Sequence, residues 1–420
     1  MSLTKLTKMR SLLICLSVLC FISCKKNADA VPVSQNPPPV TTLDSFAVTV
    51  INGYGSARYK TGDTVHIFSV AYTDTQLFDK WTGDISLLNA FEEWHTWFIM
   101  PGRNITVTGT LKNITLVTFQ FEQIRGRDRL KPVYSCFPPA HKGFVYLLHG
   151  SGGNAMNVAQ NYEFNQLSKE LVTDGYGIII TEAEEATTGI DIDGDGKLRW
   201  ATTPADTLNN VDYVNIRTIT DTFYNRAVTN RAKPRYSAGM SNGGSFSSIL
   251  SYLYNFKAGV SYCAQMGNVL AQLSNVPFQF CMARFDNNVN VGTAGNTEAL
   301  SNSTTLTGRG ICSKYFIKER APLYPERFAR RGDISIAKSQ AVFAELKSKG
   351  FLDAKNYFIG FSPAFISAFQ ANPALFPETG SLTILQVAFM LEQIDLSVSD
   401  HQMYSDYNKV TLRFLNQQCM

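Results

Sequence analysis

Ser241 lies in the run Gly239-Met240-Ser241-Asn242-Gly243-Gly244. This G-x-S-x-G spacing lets a chain turn tightly from strand into helix and leaves the serine hydroxyl clear of the sheet at a helix N-terminus. A serine held there becomes a nucleophile only if a histidine takes its proton and an acid fixes that histidine's tautomer. The pentad alone is equally compatible with a glycine-rich surface turn, so the rest of the chain must supply the partners.

Five histidines are present. His66 and His95 fall in an N-terminal β-patterned region, His141 precedes an apolar run, and His149 opens the turn His149-Gly150-Ser151-Gly152-Gly153-Asn154. His401 remains, downstream of the serine and just before the helix-like run Tyr404 to Leu415. For the acid, Asp286 follows the strand-like run Phe278 to Ala283, and Asp333 competes because it precedes a strong helical pattern, Lys338 to Lys349. Asp286 is preferred; the Asp333 pattern is also that of an ordinary acid near a helix N-terminus. Asp400 adjoins His401 and is poorly placed to orient its ring.

Acyl transfer also needs donors aimed at the developing oxyanion. The amide of Asn242 is one, and the turn near Ser151 or Gly152 offers another. That turn lacks both the Lys-Ser/Thr of a P-loop and the spacing of G-x-G-x-x-G, so phosphate cradling is disfavoured.

The elements that must position these groups follow from about Thr118. Gly143 to Leu148 reads as a strand buried on both faces, Leu167 to Val172 as a helix, Tyr176 to Ile180 as a strand, and Tyr213 to Val228 as a longer helix leading to the serine turn. Between about Phe46 and Leu111 the pattern is instead β throughout, with short alternating runs broken by Asn52-Gly53, Thr61-Gly62-Asp63 and Pro101-Gly102.

Strand, glycine-rich turn, helix, strand, helix and serine elbow is the order of an α/β-hydrolase. The HGSGGN turn, Asp212-Tyr213-Val214, the run Arg235 to Gly244 and Cys263-Ala264-Gln265 resemble the secreted esterase group that includes polyhydroxybutyrate depolymerases and feruloyl esterases. The resemblance is specific from about residue 143 to 290. It implies an α/β fold, a mostly parallel sheet flanked by helices, carrying a serine esterase with Ser241, His401 and Asp286 as triad and no cofactor. The stretch 322–399 then becomes an insertion before the base. Its phenylalanines (Phe351, Phe358, Phe361, Phe365, Phe369, Phe376) either line a lid or only pack the insertion on the core.

The N-terminal region resembles the divergent B-repeat modules of bacterial surface proteins in Val50-Ile51-Asn52-Gly53, Tyr59, Gly62-Asp63, Phe78, Lys80-Trp81, Gly83, Phe98, Met100-Pro101 and Ile105-Thr106-Val107. That resemblance implies a small β-grasp-like spacer at 44–112, preferred over a glycan platform built from Trp81, Trp94 and Trp97, at least one of which belongs in the core. The catalytic domain is then 113–420.

Ahead of both, Lys5, Lys8 and Arg10 lead into the apolar run Leu12 to Ile22, which reads as a leader peptide at 1–23. Phe21-Ile22-Ser23-Cys24 resembles a bacterial lipobox, implying a lipid anchor at Cys24 and an exported protein, with 24–43 as a tether containing Pro37-Pro38-Pro39. Removing the three leader cations from the formal charge of +4 leaves +1, which gives no nucleic-acid footprint. Cys136, Cys263, Cys281, Cys312 and Cys419 show no C-x-x-C spacing, which disfavours zinc; one or two disulfides are permitted, with Cys263 and Cys281 read as core thiols. Asp191, Asp193 and Asp195 have the alternation of a calcium loop, but position twelve is Thr202 rather than the closing glutamate, so a structural calcium would need another ligand such as Glu184.

The expectation is a monomeric, exported serine esterase acting on carboxylic esters, with feruloyl or acetyl esters of polysaccharides, or polyesters, as substrates. The alternatives are a serine peptidase on the same fold and a non-catalytic glycan-binding lipoprotein.

Overall fold

A computed structural model describes residues 45–417 and Cys419. The leader, Cys24 and the tether lie outside the described residues. Among the described residues no helix is long and apolar enough to cross a membrane.

The N-terminal module consists of strands β1 (Ser45–Ile51), β2 (Gly53–Tyr54), β3 (Ala57–Lys60), β4 (Thr64–Ser69), β5 (Gln76–Gly83), β6 (His95–Ile99) and β7 (Ile105–Asn113). They form a sheet of order β3-β1-β7-β5 and a smaller one of order β2-β4-β6, with β1 and β7 parallel. Period-two alternation turns Val48, Val50, Val65, Ile67, Ile105 and Val107 into a shared core around Trp81. The Trp81 indole is fully buried and donates to the carbonyl of Glu93 at 2.9 Å. Trp94 is buried as well, and only Trp97 is exposed. A platform of three tryptophans is therefore absent.

The larger part is an eight-stranded sheet: β8 (Gln120–Arg125), β9 (Leu130–Cys136), β10 (Gly143–Leu148), β11 (Tyr176–Ile180), β12 (Arg235–Met240), β13 (Ala258–Tyr262), β14 (Phe278–Ala283) and β15 (Ser313–Lys318). Its order is β15-β14-β13-β12-β10-β11-β9-β8, with β9 antiparallel to both its neighbours and every pair from β11 to β15 parallel. That order and the single reversed strand near one edge define the α/β-hydrolase fold. Every residue of β10 and β11 is buried, because helices cover both faces of a parallel sheet. One face packs Leu167 and Leu171 of the helix Tyr162–Thr173; the other packs Ile216 and Ile219 of the helix Val211–Asn225. Both helices start earlier than the apolar pattern alone implies. Asn161 accepts from the amide of Phe164, and Asn210 accepts from that of Asp212, so the caps fix the start.

Between β15 and His401 the chain forms the helices Ile336–Ser348, Ser362–Ala371 and Ile384–Val398. Phe358, Phe365 and Phe376 are buried in a separate cluster with Val342, Leu346 and Ile394, and Phe351, Phe361 and Phe369 pack at its margin. Of the two readings of these phenylalanines, packing is the one observed.

The module is no free spacer. Phe68 stacks on Tyr324 at 4.2 Å, the Arg330 guanidinium lies 3.7 Å from the Trp94 ring, and His95 meets Asp406 at 3.0 Å. Cys312 is bridged to Cys419, while Cys263 and Cys281 are buried thiols and Cys136 is half-buried.

Candidate active site

β12 ends at Met240 and the next helix runs Asn242–Leu253, so Ser241 alone makes the turn, at φ 57° and ψ −126°. A side chain in that conformation costs on the order of 1–3 kcal/mol and persists only where its surroundings impose it. Close backbone contacts impose it here. A Cβ on Gly239 would sit 2.1 Å from the carbonyl oxygen of Gly243, and one on Gly243 would sit 2.3 Å from that of His149. Only glycine fits either place.

Ser241 Oγ lies 2.8 Å from His401 Nε2, and His401 Nδ1 lies 2.7 Å from Asp286 Oδ2. The Asp286 side chain is fully buried and that of His401 13% exposed. Asp286 Oδ1 accepts the amide of Asn288 at 2.9 Å. An ionised carboxylate can only accept, so Nδ1 carries the proton and the Nε2 lone pair faces the serine hydroxyl. This alignment equips the imidazole to take the serine proton.

The other acids stand elsewhere. Asp333 is partly exposed and pairs with Arg331 at 3.4 Å, so it does not meet His401. Asp400 does not touch the imidazole either, yet its Oδ1 accepts the amides of Asn287 at 2.9 Å and His401 at 2.7 Å. Ser399, at φ 63°, donates its hydroxyl to the carbonyl of Lys318, accepts the amide of Arg284 on that oxygen, and accepts the amide of Phe285 on its carbonyl. The base loop is thereby stitched to the ends of β14 and β15. Sequence reasoning missed Ser399 and this role of Asp400. Adjacency to His401, which argues against Asp400 orienting the ring, is what lets it hold the backbone.

Gly152 requires a correction. Its amide donates to the carbonyl of Leu198 at 2.7 Å, so it is not free to bind an oxyanion. The amides of Ser151 and Asn242 have no acceptor among the described residues, and both residues line a cavity of about 680 Å³ together with Ser241 and His401. His149 braces the turn: Nδ1 donates to the carbonyl of Gly150 at 2.7 Å and Nε2 accepts the amide of Ala183 at 3.0 Å. Burial lowers this imidazole to about 4, so it stays neutral, as that pair of hydrogen bonds requires. The Asn242 side chain grips the Trp200 backbone: its Oδ1 accepts the Trp200 amide at 2.8 Å, and its Nδ2 donates to the Trp200 carbonyl at 3.2 Å.

Among the described residues, two donor sets have metal-like spacing. The ligand atoms of Cys263, Asp286 and His401 lie within 4.8 Å of one another. Burial, with the Asp286 carboxylate adding to it, pushes the Cys263 thiol well up, and its sulfur contacts the carbonyl of Gln402 at 3.3 Å. A protonated thiol beside a histidine already bonded at both nitrogens is arranged for hydrogen bonding. In the loop Asp191, Asp193, Asp195, the neighbouring acid is Glu185 and not Glu184. Glu184 turns inward to Lys131 at 3.1 Å. Arg199 pairs with Asp193 at 3.0 Å and Asp195 at 2.8 Å.

No family model matches the chain, and no curated protein matches it by sequence. Among solved structures it is similar to a dienelactone hydrolase from Anabaena variabilis, at 13% identity and TM-score 0.38 over 49% of this chain and 87% of that one. A ferulic acid esterase is similar at 11% identity and TM-score 0.37, over 48% and 89%. The acylaminoacyl peptidase of Pyrococcus horikoshii is similar at 11% and 0.37, over 74% and 55%. Likeness of this extent leaves the chemistry to be read from the chain's own geometry.

Proposed function

We propose that the protein is a serine hydrolase that cleaves carboxylic esters through an acyl-enzyme. The carrying observation is the continuous alignment of Ser241, His401 and Asp286 at 2.8 and 2.7 Å, opening beside two uncommitted backbone amides. Ser241 Oγ attacks the ester carbonyl carbon while His401 Nε2 takes the hydroxyl proton, and the carbonyl electron pair moves onto the oxygen, which the amides of Ser151 and Asn242 stabilise. Collapse breaks the bond to the alcohol oxygen, which leaves with the proton from His401. Water then repeats the cycle on the acyl-enzyme, releasing the acid and restoring Ser241. Asp286 holds the tautomer and stabilises the imidazolium throughout.

The reading extends to export and lipid attachment at Cys24, and to esters borne on polysaccharides as substrates. Turnover of short nitrophenyl esters by the full chain, lost by a factor of about 10³ or more in Ser241→Ala, supports the esterase reading. Turnover of peptides alone would favour a peptidase, and inertness of both proteins toward either substrate would overturn hydrolysis.

A further inference from the structure

The amides of Ser151 and Asn242 belong to different segments, the turn after β10 and the start of the helix Asn242–Leu253, yet an oxyanion needs both at one fixed spacing. The stretch 198–200 bonds to both segments. It lies in no helix or strand, so its backbone groups must find partners elsewhere in the chain. The Leu198 carbonyl accepts the amide of Gly152, next to Ser151, at 2.7 Å. The Trp200 amide donates to Asn242 Oδ1 at 2.8 Å, and the Trp200 carbonyl accepts from Asn242 Nδ2 at 3.2 Å. Trp200 Nε1 donates to the His149 carbonyl at 3.0 Å, the same oxygen that closes on Gly243.

The stretch is itself held from behind. Trp200 is buried, and its indole packs on the His149 imidazole at 4.9 Å and on the ring of Phe246 at 4.6 Å. Phe246 in turn stacks on Tyr213 at 4.7 Å. Buried Asp212 accepts the Ala201 amide on Oδ2 at 2.8 Å, and buried Glu185 accepts the Arg199 amide at 2.8 Å. The Asp212-Tyr213 pair of the sequence motif thus acts on Trp200.

Packing alone would be met by any large flat ring at position 200. The bonds to the two halves of the site need the indole N–H and the Asn242 side-chain amide, and these can be removed one at a time.

We propose that Trp200 is a positioning residue: with the Asn242 side chain it clamps the turn 149–152 onto the start of the helix Asn242–Leu253 and so fixes the spacing of the two oxyanion-binding amides. The proposal rests on the hydrolase reading, since the amides act only when Ser241 generates an oxyanion. It is tested in the full chain with Trp200→Phe, which keeps a buried ring and loses the bond to His149, and with Asn242→Ala, which keeps the backbone amide and loses the grip on Trp200. Active sites are counted by fluorophosphonate labelling, so that unfolded protein does not enter the rates. Two quantities are then read: kcat/KM on nitrophenyl acetate, and inhibition by an aryl trifluoromethyl ketone. Ser241 Oγ adds to the ketone carbon, the hydroxyl proton passes to His401 Nε2, and the carbonyl electron pair becomes an oxyanion between the amides; no leaving group is involved. Each substitution should lower kcat/KM per active site and weaken the ketone in parallel, by about 10–100-fold. The pH midpoint of kcat/KM should stay at its native value, because His401 and Asp286 are untouched. Losses confined to Tm or to the number of active sites, with kcat/KM and inhibition at the native level in both variants, overturn the clamp alone. A native chain that neither turns over the ester nor binds the ketone overturns the hydrolase reading and the clamp with it.

Discussion

The carboxylate of Asp400 joins Asn287 to the base loop: one oxygen accepts the Asn287 amide at 2.9 Å and the His401 amide at 2.7 Å. Asn287 directly follows Asp286, so this oxygen sets the spacing between the Asp286 and His401 backbones. Asp400→Ala should lower kcat about 10–100-fold, since misplacement of about 1 Å is enough for such losses, while Asp400→Asn, which keeps an acceptor oxygen, should recover most of it. Steady-state kinetics on a nitrophenyl ester check this. Equal losses in both variants would show that the charge matters and the bridge does not.

Gly243→Ala tests the packing that forces the elbow. The new methyl would lie 2.3 Å from the His149 carbonyl oxygen and 2.6 Å from that of Leu148, both backbone atoms that cannot rotate away. A destabilisation of about 1–3 kcal/mol or more is expected, read as a lower Tm, together with loss of activity as the oxyanion turn is displaced.

The junction between module and catalytic domain contains a chain of hydrogen bonds. Tyr357 O–H lies 3.2 Å from His66 Nε2, His66 Nδ1 lies 3.1 Å from His95 Nε2, and His95 Nδ1 lies 3.0 Å from Asp406; Lys318 also reaches Asp406. Each step has one donor only if both imidazoles are neutral. Burial, then the Lys318 charge, lowers His66 to about 4 and His95 well below its ordinary value. A folded-state value below the unfolded one of about 6.5 means that the unfolded chain binds the extra proton, so stability is full above pH 6.5 and is lost as pH falls toward 4. The His66 contribution is at most about 3 kcal/mol. Thermal melts between pH 7.5 and 4.5 should show this slope, reduced in His66→Gln. A Tm unchanged across that range would contradict it.

Trp94→Ala should destabilise the whole chain rather than the module alone. It removes a buried ring and strips the Arg330 guanidinium of the surface it lies on, a change of about 3–5 kcal/mol. Chemical denaturation should remain a single transition with a lower midpoint; an early separate transition would mean that the module unfolds independently.

What could be read in the sequence was local. The elbow glycines, the buried run Gly143 to Leu148 and the scarcity of histidines each constrain their own neighbourhood, and they sufficed to bring out Ser241, His401 and Asp286. What could not be read depended on contacts between distant segments. Gly152 differs from Ser151 only because Leu198 arrives to accept its amide. Glu184 and Glu185 are adjacent acids, and Lys131 on β9, with Arg129 and Asn215, draws the first inward. The insertion phenylalanines have the same composition whether they form a lid or a core. The docking of Trp94 against Arg330 joins residues more than two hundred positions apart, with no pattern in either segment to announce it.

Covalent labelling tests Ser241 as the nucleophile directly. A fluorophosphonate probe forms a covalent bond with an activated serine, and peptide mapping of the labelled full chain reads out its position. One adduct is expected, on Ser241, absent in Ser241→Ala and strongly slowed in His401→Ala. Labelling at another serine, or none while esters are still hydrolysed, would contradict it.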